Sequence, residues 1–196
     1  MTKPPSPNKE KTGSVKEQYV TYDVPERYEL IGGIRYDMKP SPALNHQVLV
    51  MELGTSMKTT CNPNGIVVVA PMDVHLDEEN VVQPDVIFIS NENDRIIKDG
   101  KIKGTPDLLV EILSPSSGAH DKIRKKALYE KFGVLEYWIV DPILKTVDQF
   151  LLEQDKLHLA ATYGEEDRLT SPRLSCVNIE LSAAFAPLKR FEKSED

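Results

Sequence analysis

The chain has 196 residues, enough for a sizeable core, and its 40% hydrophobic and 28% charged content is that of an ordinary globular protein. No apolar run approaches the roughly 18 residues of a membrane span, and the opening MTKPPSPNKEKTGSVKEQ lacks the apolar core of a signal peptide, so neither a membrane protein nor a secreted one is expected. With 24 basic against 31 acidic residues the net charge is −7, which argues against a protein that coats nucleic acid non-specifically. A nuclease stays open, because carboxylates clustered around a metal ion can coexist with a local basic face. Cys61 and Cys176 show neither CxxC pairing nor metal spacing and read as two reduced thiols of a cytoplasmic protein.

Residues 1–18 are rich in Pro, Lys, Ser and Glu with almost nothing to bury and read as a disordered tail. A single domain is expected over 19–190, with 191–196 as a C-terminal tail. Tyr28 to Ile31, then Gly32-Gly33, then Ile34 to Met38 is a β-hairpin signal. Residues 43–60 carry Leu44, Val48 and Met51 at helical spacing, widened by Val50, Leu53 and Met57, before Asn62-Pro63-Asn64-Gly65 breaks the helix. Ile66 to Ala70 is a β-branched strand that Asp73 to Leu76 extends. Val81 to Ser90 is a second strand region, with Asp85 on the face of Ile87 and Ile89. Residues 91–105 read as a charged loop.

Leu108 to Leu113 has the length and composition of a buried strand, with Asp107, Leu109, Glu111 and Leu113 on one face and Leu108, Val110 and Ile112 on the other. A helix follows over 120–132, with Ile123, Ala127 and Phe132 inward and Gly133 ending it. Glu136 to Val140 is a fourth strand. Thr146 to Leu152 pairs with Leu157 to Ala161, and Leu181 to Phe185 is a short final helix. Strands flanking single helices predict an α/β sandwich.

Glu111 stands out because burying an ionised carboxylate among Leu, Val and Ile costs several kcal/mol unless a cation, a metal or a proton compensates. The plain alternative is an edge strand whose Glu reaches water. Two Pro-Asp pairs could supply a partner, Pro84-Asp85 and Pro106-Asp107. Asp107 lies four residues along the same strand, about 13 Å away at roughly 3.3 Å per residue. That is too far to share one ion at oxygen distances of about 2.0–2.6 Å. Asp85 belongs to another strand, and neighbouring strands lie about 4.8 Å apart, so Asp85 and Glu111 can converge.

Two carboxylates with waters and a substrate phosphate describe a Mg²⁺ site, which can lower the pKa of bound water and stabilise a phosphodiester in transit. A nearby Lys would counter the developing charge, and the helix offers Lys122, Arg124, Lys125 and Lys126. Asp121, Lys125 and Tyr129 recur every four residues on one helical face. On spacing alone, Asp121 and Lys125 read as an exposed ion pair worth under about 1 kcal/mol.

The segments YELIGG (28–33), NHQ (45–47), QPDV (83–86), GTPDLLVEILSPSS (104–117), DKIRKKALYEKFGVLEYWIVDP (121–142) and SPRL (171–174) resemble the Uma-type restriction-endonuclease family of the PD-(D/E)xK nuclease superfamily. The likeness runs from about Tyr19 to Phe185. It implies an α/β (α+β) restriction-endonuclease-like core, a mixed central sheet flanked by helices, with an N-terminal β-hairpin. It also implies DNA as substrate and Mg²⁺ or Mn²⁺ as cofactor. Asp85 matches the Asp of the PD motif and Glu111 the acidic residue of (D/E)xK, the two metal ligands. Position 113 is Leu where that motif has Lys, and Lys125 matches a Lys migrated to the following helix, with Lys122 as the fallback. Glu29 and His46 match further family positions that could line the site beside Asp121. Dimerisation would suit double-strand cutting, which needs two sites. Two other readings share the fold: a non-catalytic descendant that binds nucleic acid or protein, with its carboxylates paired to basic side chains, and a metal-dependent hydrolase of another substrate.

Overall fold

The computed structural model describes residues 27–38, 43–114 and 120–191, so the expected tail at 1–18 and, apart from Phe191, the expected tail at 191–196 lie outside the described residues. The chain enters as a hairpin, β1 (Tyr28–Ile31) and β2 (Ile34–Asp37), closed by Gly32 and Gly33, whose φ angles of 60° and 72° favour glycine. Helix α1 (Leu44–Cys61) follows, then β3 (Gly65–Val69), β4 (Val74–His75), β5 (Val81–Val82) and β6 (Val86–Ser90). The expected 81–90 strand is thus split in two around Pro84, which has no N–H to donate to a ladder. Where a charged loop was expected over 91–105, a 3₁₀ turn at Asn91–Ile96 leads into a second hairpin, β7 (Ile97–Lys98) and β8 (Lys101–Lys103). Its turn is Asp99-Gly100, with φ of 52° and 71°, a hairpin signal present in the sequence.

Strand β9 (Leu108–Ile112) leads to a π-helical turn at His120–Lys125 that runs on into α2 (Lys126–Lys131). Then come β10 (Glu136–Asp141), β11 (Thr146–Glu153) and β12 (Lys156–Tyr163). The chain closes with β13 (Arg168–Thr170), β14 (Asn178–Glu180), α3 (Leu181–Phe185) and a 3₁₀ turn at Ala186–Arg190. The β13–β14 pair was not expected, because its two strands are only three residues each.

The central sheet has the order β12-β11-β10-β9-β6-β3, and a second sheet the order β2-β1-β5-β4-β8-β7. β9 and β10 run parallel, which requires the crossover that the 120–131 helix supplies. One face of the central sheet, with Val86, Phe88, Leu108, Val110, Trp138 and Val140, packs on Leu49, Leu53 and Met57 of α1 and on Phe185 of α3. The opposite face, with Ile87, Ile89, Leu109, Tyr137 and Ile139, packs on Val74, Val82 and Ile102 of the second sheet and on Leu128 and Tyr129 of α2. β9 is covered on both faces and flanked by β6 and β10, so the edge-strand reading of Glu111 is excluded.

Two further expectations are corrected. The inward side of the 120–131 helix is Asp121, Lys125, Leu128 and Tyr129, while Ile123 is 68% exposed and Ala127 faces solvent. Asp121, Lys125, Leu128 and Tyr129 share one face at spacings of three and four, and Ile123 and Ala127 fall off it, so a stripe chosen by apolar character alone is misplaced. The cysteines are also not reduced thiols. Cys61 ends α1, Cys176 lies two residues before β14, and the two form a disulfide across 115 residues of sequence. A reduced thiol pair therefore no longer supports a cytoplasmic setting. Among the described residues no helix is long and apolar enough to cross a membrane.

Gly65 opens β3 where the backbone of β6 approaches closely: a Cβ there would fall on the Ile89 carbonyl oxygen and the Phe88 ring. Gly65→Ala should lower unfolding free energy by about 1–3 kcal/mol, measured by urea denaturation against the parent.

Candidate active site

The register of β6 on β9 sets the first two acidic groups. Val86 pairs with Val110 and Ile87 with Leu109, so the next step outward brings Asp85 beside Glu111. Asp85 is locked there by its own N–H, which donates to the Val110 carbonyl at 3.1 Å, and by the Ile112 N–H, which donates to Asp85 Oδ2 at 2.7 Å. His46, in the first turn of α1, lies with Nε2 3.0 Å from the same Oδ2. Its Nδ1 is buried and has no hydrogen-bond partner among the described residues. One carboxylate thus joins the ends of two strands and a helix.

Glu111 faces the second sheet, where the π turn delivers Lys125. Lys125 Nζ lies 2.9 Å from Glu111 Oε1, 2.8 Å from Glu29 Oε1 and 3.7 Å from Asp121 Oδ1. The Tyr129 hydroxyl donates to Glu111 Oε1 at 2.7 Å. Glu29 also accepts the Gln83 N–H at 2.8 Å, and His120 Nε2 stands 3.2 Å from its Oε2. The Tyr137 hydroxyl donates to the Asp121 carbonyl at 3.1 Å and ties the π turn to β10. Glu29, Glu111, Asp121 and Lys125 are each about 3% exposed, so the exposed ion pair expected for Asp121 and Lys125 is instead a buried network.

Charge within the network is uneven. Burial pushes Glu29 upward, but the Lys125 ammonium and hydrogen bonds from His120, Lys125 and the Gln83 N–H bring its carboxyl from 4.5 down to about 2. Burial pushes Glu111 well above the usual carboxylate range; Lys125 opposes this, while Asp121, Asp85 and Glu29 reinforce it. Burial alone would lower Lys125, yet Glu111, Glu29 and Asp121 together raise it, so it stays an ammonium. Burial and the Glu111 charge also raise Tyr129, which keeps its proton and donates it. The arrangement has an excess of negative charge around one fixed cation, which favours a further cation or a proton at Glu111.

Asp85 and Glu111 are the two carboxylates from adjacent strand ends that could share such a cation. Among the described residues no hydrogen bond reaches Asp85 Oδ1 or Glu111 Oε2, and no group of three or more His, Cys, Asp or Glu forms a metal-binding cluster. Hard oxygen donors from two carboxylates, completed by water and phosphate, fit Mg²⁺ or Mn²⁺ better than a closed protein cage. Asp107 stands apart at the start of β9, where its Oδ2 accepts the Ser90 N–H and the Asn93 side-chain amide at 2.8 and 3.2 Å. Lys122 is exposed and outside the network.

Sequence reasoning missed His120, which no spacing links to Glu29. It also missed Glu136 on the opposite face of the sheet, fully buried, where Oε1 accepts from Trp138 and Gln149 at 2.6 and 2.7 Å and Oε2 from Ser171 at 2.5 Å. Ser171 in turn caps the 171–174 turn through the N–H groups of Arg173 and Leu174. Glu136 therefore anchors that turn to the sheet.

The fold is a mixed α+β arrangement of two mixed sheets and few helices, with acidic groups near adjacent strand ends and a lysine on the following helix. The family model Uma2, described as "Putative restriction endonuclease", matches residues 17–184, and the chain belongs to that family. Its fold is similar to the crystal structure of a "putative nuclease" from Anabaena variabilis ATCC 29413, with a TM-score of 0.67 at 18% identity over 83% of this chain and 93% of that one. No match was found among curated proteins.

Removing Lys125 leaves Glu29 and Glu111 buried without their cation. Lys125→Met should lose about 3–5 kcal/mol of unfolding free energy, measured by chemical denaturation. Glu29 contributes stability in the opposite pH sense to a raised group. Its folded-state pKa lies below 4.5, so its contribution is complete above that pH and is lost as pH falls toward 2. Glu29→Gln should therefore flatten the acid limb of a stability–pH curve between about pH 4.5 and 2, while lowering stability at pH 7.

Proposed function

We propose that this protein is a divalent-metal-dependent endonuclease that hydrolyses DNA phosphodiester bonds. The observation that carries the reading is the place of Asp85 and Glu111 on neighbouring strands, one register step beyond the Val86–Val110 pair, with a buried Lys125 bonded to Glu111 and Glu29. Family membership and fold support it. Asp85 and Glu111 would hold Mg²⁺ or Mn²⁺, which when bound supplies a more acidic water and a positive charge at the phosphate.

The remaining work falls to the chain. His46 and the Ile112 N–H fix the orientation of Asp85, and Lys125 and Tyr129 fix that of Glu111. As water attacks phosphorus and the opposite P–O bond breaks, negative charge grows on the phosphoryl oxygens. The Lys125 ammonium is the fixed positive group beside Glu111 that would counter it. Glu29 and Asp121 keep that ammonium charged and in place. The water's proton leaves by way of solvent or the departing oxygen.

A second reading is favoured by one observation: both Glu29 and Glu111 already pair with Lys125. That arrangement also suits a non-catalytic descendant that uses the fold for binding.

Calorimetry with Mn²⁺ and nicking of supercoiled plasmid decide between them. The nuclease reading expects metal-dependent nicking by the parent and none by Asp85→Ala or Glu111→Ala. A parent that neither binds Mn²⁺ nor nicks would overturn it. His46→Ala should keep the fold but weaken Mn²⁺ binding by about 10–100-fold, because it removes the group orienting a ligand.

A further inference from the structure

We infer that Tyr36, His120 and Arg124 form a platform for an unpaired nucleobase beside the candidate active site, so that the preferred substrate is single-stranded DNA. The inference rests on the nuclease reading and deepens it. Tyr36 lies on the same face of the β1–β2 hairpin as its cross-strand neighbour Glu29. Its ring centroid is 5.1 Å from that of His120, and the Arg124 guanidinium carbon lies 5.0 Å from the same ring. His120 connects this cluster to the active site: Nε2 stands 3.2 Å from Glu29 Oε2, and Arg124 Nη1 stands 3.5 Å from His120 Nδ1. One path of contacts therefore runs from Tyr36 through His120 and Glu29 to Lys125 and Glu111.

The charges at this spot suit a nucleic-acid strand. Arg124 and Lys122 are exposed on the helix whose buried side carries Lys125, and neither forms an ion pair with a described residue. The other aromatic–arginine pair of the hairpin, Tyr28 with Arg35 at 4.4 Å, differs: Arg35 lies 2.6 Å from Asp37, which already balances its charge. An aromatic ring beside a cation that no described carboxylate pairs binds a flexible strand by base stacking and phosphate contact. A chain of net charge −7 gains little from a broad electrostatic grip on a duplex, whereas stacking one or two bases needs only this local patch.

The test uses the full chain in EDTA, which prevents cleavage, and fluorescence anisotropy with a labelled single strand of about 12 nucleotides and the matching duplex. The parent should bind the single strand more tightly than the duplex. Tyr36→Ala should weaken single-strand binding by about 5–150-fold, the range that corresponds to one lost stacked base, while Tyr36→Phe binds like the parent. Arg124→Gln, an exposed change that should not disturb folding, should flatten the salt dependence of single-strand binding by about 0.7 in log–log slope. Duplex binding as tight as single-strand binding, or a Tyr36→Ala variant equal to the parent, would overturn the inference. So would a parent that binds neither strand form. Mn²⁺ calorimetry and plasmid nicking separate the two ideas: the platform can fail while the parent still takes up metal and nicks, and the nuclease reading fails if the parent does not.

Discussion

An ammonium group held among three buried carboxylates ties the molecule together. Lys125 reaches Glu111 on the central sheet, Glu29 on the second sheet and Asp121 on its own π turn, so one charge connects three elements. Such a network is a demanding way to join layers. Each charged group loses its hydration, and the return depends on every partner being in place. Apolar side chains of similar volume would join the layers at least as well. What they could not supply is a fixed positive charge beside a pair of strand-end carboxylates, and that is the property a phosphodiester hydrolase needs.

The fold delivers these groups through ordinary constraints. Parallel pairing of β9 and β10 demands a crossover, and that crossover is the helix bearing Lys125. Antiparallel pairing of β6 and β9 puts Asp85 beside Glu111, and the α1 terminus supplies His46 to hold it. The second sheet closes over the apolar face of the first and brings Glu29 with it. The π turn matters for the same reason. It widens the helix where Asp121 and Lys125 face inward, and a turn of this kind is a recurrent feature of functional sites.

Much of this was legible in the sequence because the signals were local. A period of two placed Glu111 on the face of Leu109, and strand spacing preferred Asp85 to Asp107 as its neighbour. The Gly-Gly hairpin, the long helix and the apolar strand followed from turn chemistry and periodicity. What was not legible depended on the third dimension or on very short elements. The Asp121–Lys125 spacing is the same whether the pair is exposed or buried, and only the second sheet decides which. The disulfide joins residues 115 apart that no local pattern relates. His120 meets Glu29 from 91 residues away. The Asp99-Gly100 turn was a readable signal, but strands of two and three residues around it gave no periodicity to support it.

On the proposed reading Asp85 and Glu111 share one divalent cation beside Lys125. The most direct measurement is an anomalous difference map from crystals grown with Mn²⁺. A peak is expected within about 2.0–2.6 Å of a carboxylate oxygen of both Asp85 and Glu111, with the Lys125 ammonium still bonded to Glu29. A map with no peak at that position, or with Mn²⁺ bound only elsewhere on the surface, would contradict it.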